Sequence, residues 1–259
     1  MLRRYTDMTG HTVEIDHSPR RIVSLVPSQT ELLYDLGLSD EVVGITKFCV
    51  HPTEWFRNKK RVGGTKTVHI DIVKGLQPDL ILANKEENVK EQVEELSSFC
   101  PTWTSNIQTI EEGLQMIQQV GALAGREAMA EALINDIRSG FDALAQATAP
   151  RRVAYFIWRD PWMCAGGDTF ISDMITRMGW INVLTDKDRY PEIQLEELKD
   201  LNIDTILLSS EPYPFKDKHI AEISAVLPNA DIRLVDGEMF SWYGSRMKKA
   251  VVYLQNMLR

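Results

Sequence analysis

The residue types best suited to metal chemistry occur together once, in Cys49-Val50-His51. Side chains two positions apart on an extended segment point the same way, so this thiol and imidazole could converge on one soft or borderline metal. A zinc site needs more ligands, and the sequence has no other Cys/His pair at metal-binding spacing. We therefore expect no structural metal, and predict that Cys49 and His51 contact a ligand, with His51 able to offer a ring nitrogen to a metal inside it. A His51 that only hydrogen-bonds a loop carbonyl is the alternative.

Aromatic side chains are concentrated in predicted loops of the second half, although only 8% of the chain is aromatic. Large flat side chains on loops suit a broad, partly apolar ring ligand such as a corrin or porphyrin. For each ring, packing beneath the loops is the alternative. The group comprises Trp158, Trp162, Tyr213, Phe215, Phe240, Trp242 and Tyr243.

Charged side chains in or beside these loops could pair with polar groups of a large ligand, although a solvated loop charge is the alternative for each. They include Lys85, Arg159 and Arg246. Arg159 is the strongest candidate, because Trp158 and Trp162 flank it and stacking on an aromatic ring restricts the guanidinium group.

The elements that must position these side chains alternate between strands and helices. Apolar and β-branched runs predict strands at 21–26, 42–45, 79–83, 152–158, 204–208 and 231–235. This alternation indicates an α/β fold with doubly wound parallel sheets. Because open parallel sheets bind ligands beyond the carboxyl ends of their strands, we add Pro27, Ser28 and Phe48, which follow the first two predicted strands, to the candidate ligand-binding residues.

An internal alignment indicates that the two halves are related. The segment 70–83 aligns with 195–208, with identical Lys, Leu, Asp, Ile and Leu residues. Both segments predict a helix followed by a strand. Since this unit is common in such sheets, chance similarity is the alternative to a duplication.

Helix signals connect the two halves. Ser28 to Glu31 and Thr109 to Glu112 match the capping-box pattern, which begins a helix. After Gly125 the sequence predicts one helix from Arg126 to Ala147, about 33 Å long at 1.5 Å per residue. We predict an N-terminal lobe at 1–108, a helical connection at 109–149 and a C-terminal lobe at 150–259.

Composition excludes several classes of protein. Lys and Arg number 29 and Asp and Glu 37, so the net charge of −8 argues against binding to nucleic acid. The sequence has no run of about 18 uncharged apolar residues, so we expect no membrane span. Arg3 and Arg4 are followed by no apolar stretch, which is unlike a secretory signal peptide and predicts a cytoplasmic location for the sequence as written. Three cysteines, an odd number, also favour a reducing compartment.

Four segments together resemble a known family: Thr6–Val13, Pro19–Glu31, Val62–Gly64 and Leu76–Leu82. Along nearly its whole length the chain resembles the helical-backbone substrate-binding proteins of ABC importers. Pro27-Ser28-Gln29-Thr30-Glu31, after the first strand, is most similar to the cobalamin-binding receptors of that family.

The resemblance implies two α/β lobes bridged by a single long helix, with the ligand in the cleft between them. It implies cobalamin or a related corrinoid as the ligand, with haem or a ferric siderophore as the alternative, and no cofactor besides this metal chelate. It further implies a periplasmic protein, expected to be a monomer, that docks onto an ABC permease through one acidic residue on each lobe. By position these are Asp71 and Asp168, where the family favours Glu.

An enzyme is the competing class. Ser28 lies at a strand-to-helix turn, as a nucleophile would in a hydrolase that uses the same cleft. However, the sequence has no Gly-x-Ser-x-Gly elbow, no glycine-rich phosphate loop and no His-Glu-x-x-His motif. We therefore expect a binding protein with no catalytic residues.

Overall fold

Short apolar strands form a parallel sheet in each half of the chain. The computed structural model describes residues 2–145 and 149–259. It divides the chain into unit 1, comprising residues 1–106, 111–136 and 243–246, and unit 2, comprising 107–110, 137–242 and 247–259. The doubly wound α/β prediction is confirmed, since both units combine helices with a parallel sheet.

Unit 1 begins with an antiparallel hairpin of β1 (Arg3–Thr6) and β2 (Thr12–Ile15). Its main sheet has the strand order β5-β4-β3-β6-β7, with parallel neighbours. The strands are β3 (Ile22–Ser24), β4 (Val42–Ile45), β5 (Lys60–Arg61), β6 (Leu80–Asn84) and β7 (Thr102–Ser105). The first helices are α1 (Pro27–Asp35), α2 (Thr53–Asn58), α3 (Ile70–Gly75) and α4 (Lys90–Ser97).

The predicted capping box at Ser28 to Glu31 is wrong. Helix α1 already begins at Pro27, and no side chain caps it. Proline suits the first turn because its fixed φ matches the helix and its missing N–H is not needed there. Ser28 and Gln29 are therefore residues of the first helical turn.

The predicted helix from Arg126 to Ala147 is too long. Helix α5 (Ile110–Ala124) ends before Gly125, whose φ of +66° suits glycine, and α6 follows as Glu127–Asp142. At 16 residues α6 is about 24 Å long. After its end, the Leu144 N–H donates to Phe141 O at 3.3 Å. This bond spans three residues, so the turn is tighter than an α-helical turn. Ala147 lies outside the described residues. The boundary between the units falls inside α6, after Asp136; a bridging role for this helix and the predicted domain bounds stay predictions.

Unit 2 has the strand order β10-β8-β11-β12 in parallel, and β9 pairs with β8 antiparallel. Its strands are β8 (Arg152–Trp158), β9 (Met163–Cys164), β10 (Ile181–Asn182), β11 (Thr205–Ser209) and β12 (Asp231–Val235). Its helices are α7 (Phe170–Arg177), a 3₁₀ helix (Leu195–Leu201), α8 (Asp217–Ser224), α9 (Glu238–Ser241) and α10 (Arg246–Met257).

The helix-to-strand unit predicted in both halves is present, whereas a duplication stays a prediction. Segment 70–83 forms α3 and most of β6, and segment 195–208 forms the 3₁₀ helix and most of β11. The aligned residues Gln77 and Asn202 both adopt the left-handed conformation, with φ of 47° and 49°. The two segments thus also share a backbone irregularity at the turn before the strand.

Candidate functional site

The candidate residues of unit 1 lie on the loops and the helix that follow its strands. Pro27 and Ser28 begin α1 and are buried, whereas Phe48, after β4, is 50% exposed. His51, in the same loop, is half-buried, and the Lys85 side chain, after β6, is exposed. Phe48 is therefore the apolar side chain of this group most accessible to a ligand.

Cys49 is a buried thiol. Its Sγ lies 3.1 Å from Thr30 Oγ1 and 3.2 Å from Thr46 Oγ1. Burial raises the pKa of the Cys49 thiol to about 11, so it stays protonated at neutral pH and is a poor metal ligand. Within residues 2–145 and 149–259, no group of three or more His, Cys, Asp or Glu side chains is arranged to hold a metal ion.

Tyr243 and Arg246 are held by carboxylates of unit 1. Tyr243 Oη donates to Glu87 Oε1 at 3.1 Å, and burial raises the pKa of the phenol, which keeps it a neutral donor. Arg246 Nε donates to Glu31 Oε2 at 2.7 Å, and each of these side chains is only 6% exposed. These contacts fix the segment 243–246 on unit 1, in addition to any role in ligand binding.

A second polar cluster lies under the carboxyl ends of β6 and β7. Gln29 Nε2 donates to Ser105 Oγ at 2.6 Å, and Asn84 Nδ2 donates to the same oxygen at 2.9 Å. All three side chains are buried. Sequence reasoning missed this cluster, because its members are far apart in the chain and form no motif.

The aromatic residues of unit 2 divide into packed and accessible rings. Phe215 is buried and stacks on Trp162 with the ring planes 3° apart and the centroids 6.1 Å apart. Phe240 is fully buried. Trp158, by contrast, is 39% exposed, and its ring meets half-buried Tyr213 edge to face at 5.7 Å. Trp158 and Tyr213 are thus the rings best placed to contact a ligand, with Trp162 and Phe215 as their support.

Arg159 stacks as the sequence predicted. Its guanidinium carbon lies 4.3 Å from the centroid of the Trp162 ring. Its Nε donates to Glu222 Oε2 at 3.0 Å, and its guanidinium group also contacts Asp160. The arginine is therefore held in one orientation by a ring and two carboxylates.

Trp242 is buried, and its indole N–H is engaged inside unit 2. Nε1 donates to Glu211 Oε1 at 2.7 Å, and Ser241 Oγ donates to the same oxygen at 2.9 Å. Burial raises the pKa of the Glu211 carboxyl above its ordinary value. Sequence reasoning missed Glu211, although it occupies the loop after a predicted strand, which is the signal that identified its neighbours.

The two acidic residues predicted to dock a permease differ in their surroundings. Asp71 is exposed in the first turn of α3. The Asp168 carboxylate accepts the backbone N–H of Arg189, so it is part of a loop contact. In the internal repeat the residue aligned with Asp71 is Glu196, which is exposed in the first turn of the 3₁₀ helix. The alignment of segments 70–83 and 195–208 is the sequence signal that pairs Glu196 with Asp71.

Residues 22–226 match a family model described as periplasmic binding protein, which is more than half of the chain. The chain belongs to the periplasmic binding protein family. As the resemblance implied, this periplasmic binding protein is a substrate-binding protein of the ABC-transporter type and not an enzyme. No helix among the described residues has both the length and the apolarity that a membrane span requires.

Two relatives and one solved structure illustrate the match. The uncharacterized ABC transporter substrate-binding lipoprotein YvrC of Bacillus subtilis is 28% identical over 213 residues, which are 78% of this chain and 67% of that protein. The vitamin B12-binding protein of Vibrio campbellii is 24% identical over 184 residues, covering 69% of this chain and 66% of that protein. The periplasmic heme-binding protein RhuT from Roseiflexus sp. RS-1 shares the fold, with a TM-score of 0.78 and 20% identity over 92% of this chain and 97% of that one.

Proposed function

We propose that this periplasmic binding protein binds cobalamin or a related corrinoid and delivers it to an ABC permease. The observation that carries the proposal is the aromatic surface of unit 2, where Trp158 is 39% exposed beside Tyr213 and Arg159 lies over Trp162. Rigid rings offer a large apolar area to a flat macrocycle at little entropic cost, and a fixed guanidinium can pair with its polar substituents. The vitamin B12-binding relatives support this ligand class. The lipoprotein and vitamin B12-binding relatives also support a location on the outer side of the cytoplasmic membrane. This location replaces the cytoplasmic one that the first residues of the sequence predict.

Titration calorimetry with cyanocobalamin, haemin and a ferric hydroxamate siderophore tests the proposal. We expect cyanocobalamin to bind most tightly and Trp158→Ala to weaken its binding about tenfold, since stacking and area are lost together. Phe99→Ala is the matched control. Phe99 is also 39% exposed, but it precedes β7 and so lies at the amino ends of the unit 1 strands, whereas the candidate ligand-binding loops follow the carboxyl ends. Absence of heat with all three ligands would refute the binding of a metal chelate.

Haem or a ferric siderophore is the second candidate. Arg159 favours it, since a guanidinium pairs well with propionate or other carboxylate groups. Tighter binding of haemin than of cyanocobalamin in the same titrations, together with a loss of that preference in Arg159→Met, would establish this candidate in place of the corrinoid.

We propose His51 as the residue that can reach the ligand's metal. The ring is half-buried in the loop after β4, the loop that also carries exposed Phe48. If its nitrogen coordinates cobalt, His51→Ala must change the visible absorption spectrum of the bound corrinoid, because the axial ligand changes. A variant that binds with an unchanged spectrum would assign His51 to the pocket wall alone.

For the permease contact we propose Asp71 with Glu196 as its counterpart, in preference to Asp168. Both carboxylates are exposed and occupy equivalent positions in the repeat. We expect Asp71→Lys and Glu196→Lys each to reduce ligand-dependent stimulation of ATP hydrolysis by the reconstituted cognate transporter, with corrinoid affinity unchanged. Glu197→Lys, an exposed neighbour on the same 3₁₀ helix, is the control. A loss caused by Asp168→Lys and not by Glu196→Lys would restore the original assignment.

A further inference from the structure

Glu211 occupies a position where its carboxylate can control the ligand-binding loops of unit 2. It follows β11 by two residues, and its Oε1 accepts both the Trp242 indole N–H at 2.7 Å and the Ser241 hydroxyl at 2.9 Å. Hydrogen bonds to an ionised acceptor are about twice as strong as neutral ones. One carboxylate oxygen thus ties the loop after β11 to the end of α9.

The space around Glu211 depends on a glycine. A Cβ at Gly237 would lie 2.6 Å from Glu211 Cγ and 2.3 Å from Ser209 Oγ, which is closer than side-chain atoms approach. Gly237 N–H also donates to Ser210 Oγ at 2.9 Å. The absence of a side chain at residue 237 therefore lets the two loops come close enough for the Glu211 contacts to form.

The surroundings of Glu211 hold the pKa of its carboxyl group above the ordinary value. Burial raises its pKa, the hydrogen bonds from Ser241 and Trp242 oppose this, and the nearby acids Glu238 and Asp236 raise it further. Two tyrosines bond to the flanking segments: Tyr155 on β8 donates to Ser209 Oγ at 3.1 Å, and Tyr253 on α10 accepts the Asp236 N–H at 3.0 Å. Protonation of Glu211 would weaken both of its hydrogen bonds.

We propose that Glu211 is a positioning residue, whose carboxylate holds the Trp242 indole N–H and the Ser241 hydroxyl and so fixes the loop after β11, which carries the Tyr213 ring proposed to contact the ligand. This proposal rests on the proposed function only for the statement that a ligand lies against Tyr213.

Nuclear magnetic resonance of the ligand-free full chain tests the positioning directly. The indole N–H resonance of Trp242 is the one that Trp242→Phe removes. We expect this resonance to move with pH in the native chain, with a midpoint above the ordinary glutamate value of 4.5, and to lose this movement in Glu211→Gln. Glu197→Gln makes the same charge change at an exposed site of unit 2 and should leave the titration intact. A Trp242 resonance that does not move with pH in the native chain would overturn the proposal.

Ligand affinity supplies the second measurement. We expect Glu211→Ala to weaken cyanocobalamin binding about tenfold, the loss typical of a hydrogen bond to a charged group, and Glu211→Gln to weaken it much less because the amide oxygen still accepts the indole N–H. Equal losses in the two variants would contradict a positioning role. Because the resonance experiment needs no ligand, failure to bind any corrinoid would refute the proposed function and leave the Glu211–Trp242 result standing.

Discussion

At the amino ends of the two sheets, the same contacts recur with the same residue types. Arg21 Nε donates to Leu76 O at 2.9 Å in unit 1, and Arg152 Nε donates to Leu201 O at 3.0 Å in unit 2. An aspartate completes each arrangement by accepting backbone N–H groups at the start of the neighbouring strand. It is Asp79, bonded to Arg20 and Arg21, in unit 1 and Asp204, bonded to Arg152, in unit 2.

The carboxyl ends of the same sheets have little in common. In unit 1 they carry a buried polar cluster around Ser105 and the Glu31–Arg246 ion pair. In unit 2 they carry stacked rings around Trp162 and the Glu211–Trp242 contact. The amino ends are constrained by the helix-to-strand turn itself, whereas the loops at the carboxyl ends are free to differ. Such loops are where a binding protein acquires its specificity.

The largest effect should come from the buried ion pair of unit 1. We expect Arg246→Met to lower the free energy of unfolding by about 3–5 kcal/mol, since it leaves the Glu31 carboxylate buried without this partner. Arg151→Met removes an exposed pair with Asp231 in unit 2 and should cost only about 0–1 kcal/mol. Urea denaturation of both variants measures the difference, and similar costs would contradict it.

The next effect compares the two aspartates of the repeat. Asp79 accepts two amide groups and Asp204 accepts one, so Asp79→Ala should destabilise the protein by about 1.5–3 kcal/mol and Asp204→Ala by about half as much. Hydrogen exchange followed by mass spectrometry can locate each loss, which should fall on β3 and β6 in the first variant and on β8 and β11 in the second. A loss of protection spread over both units would show that the contacts do not act locally.

The smallest effect concerns the two left-handed residues. Glycine adopts a positive φ without the steric cost that Gln77 incurs, so we expect Gln77→Gly to raise the free energy of unfolding by up to about 1 kcal/mol. Asparagine tolerates this conformation better, so Asn202→Gly should gain only a few tenths. Thermal unfolding of the two variants checks the order, and a larger gain at Asn202 would reverse it.

Most of the fold was predictable because it depends on local patterns. The strand runs 152–158, 204–208 and 231–235 and the repeat containing Asp79 and Asp204 are visible as periodicity and identity in the sequence. Helix α1 begins earlier than the capping-box pattern at Ser28 indicates, because Pro27 itself suits a first helical turn.

The site was less predictable because its contacts join distant residues. Arg159 and Trp162 are three residues apart, and their stacking was expected from the sequence. Glu211 and Trp242 are 31 residues apart, and Glu31 and Arg246 are 215 apart. No local pattern pairs such residues, so only the folded chain shows which polar groups are already engaged.

Because the tryptophans differ in solvent exposure, their intrinsic fluorescence can report on separate parts of the protein. Trp55 and Trp103 in unit 1 are nearly or fully buried, whereas Trp158 in unit 2 is 39% exposed. Fluorescence from the first two should be blue-shifted and resistant to iodide quenching until unit 1 unfolds. Trp158 emission should respond to iodide in the native state and be quenched by energy transfer when a coloured macrocycle binds, so one emission spectrum can follow folding and loading separately.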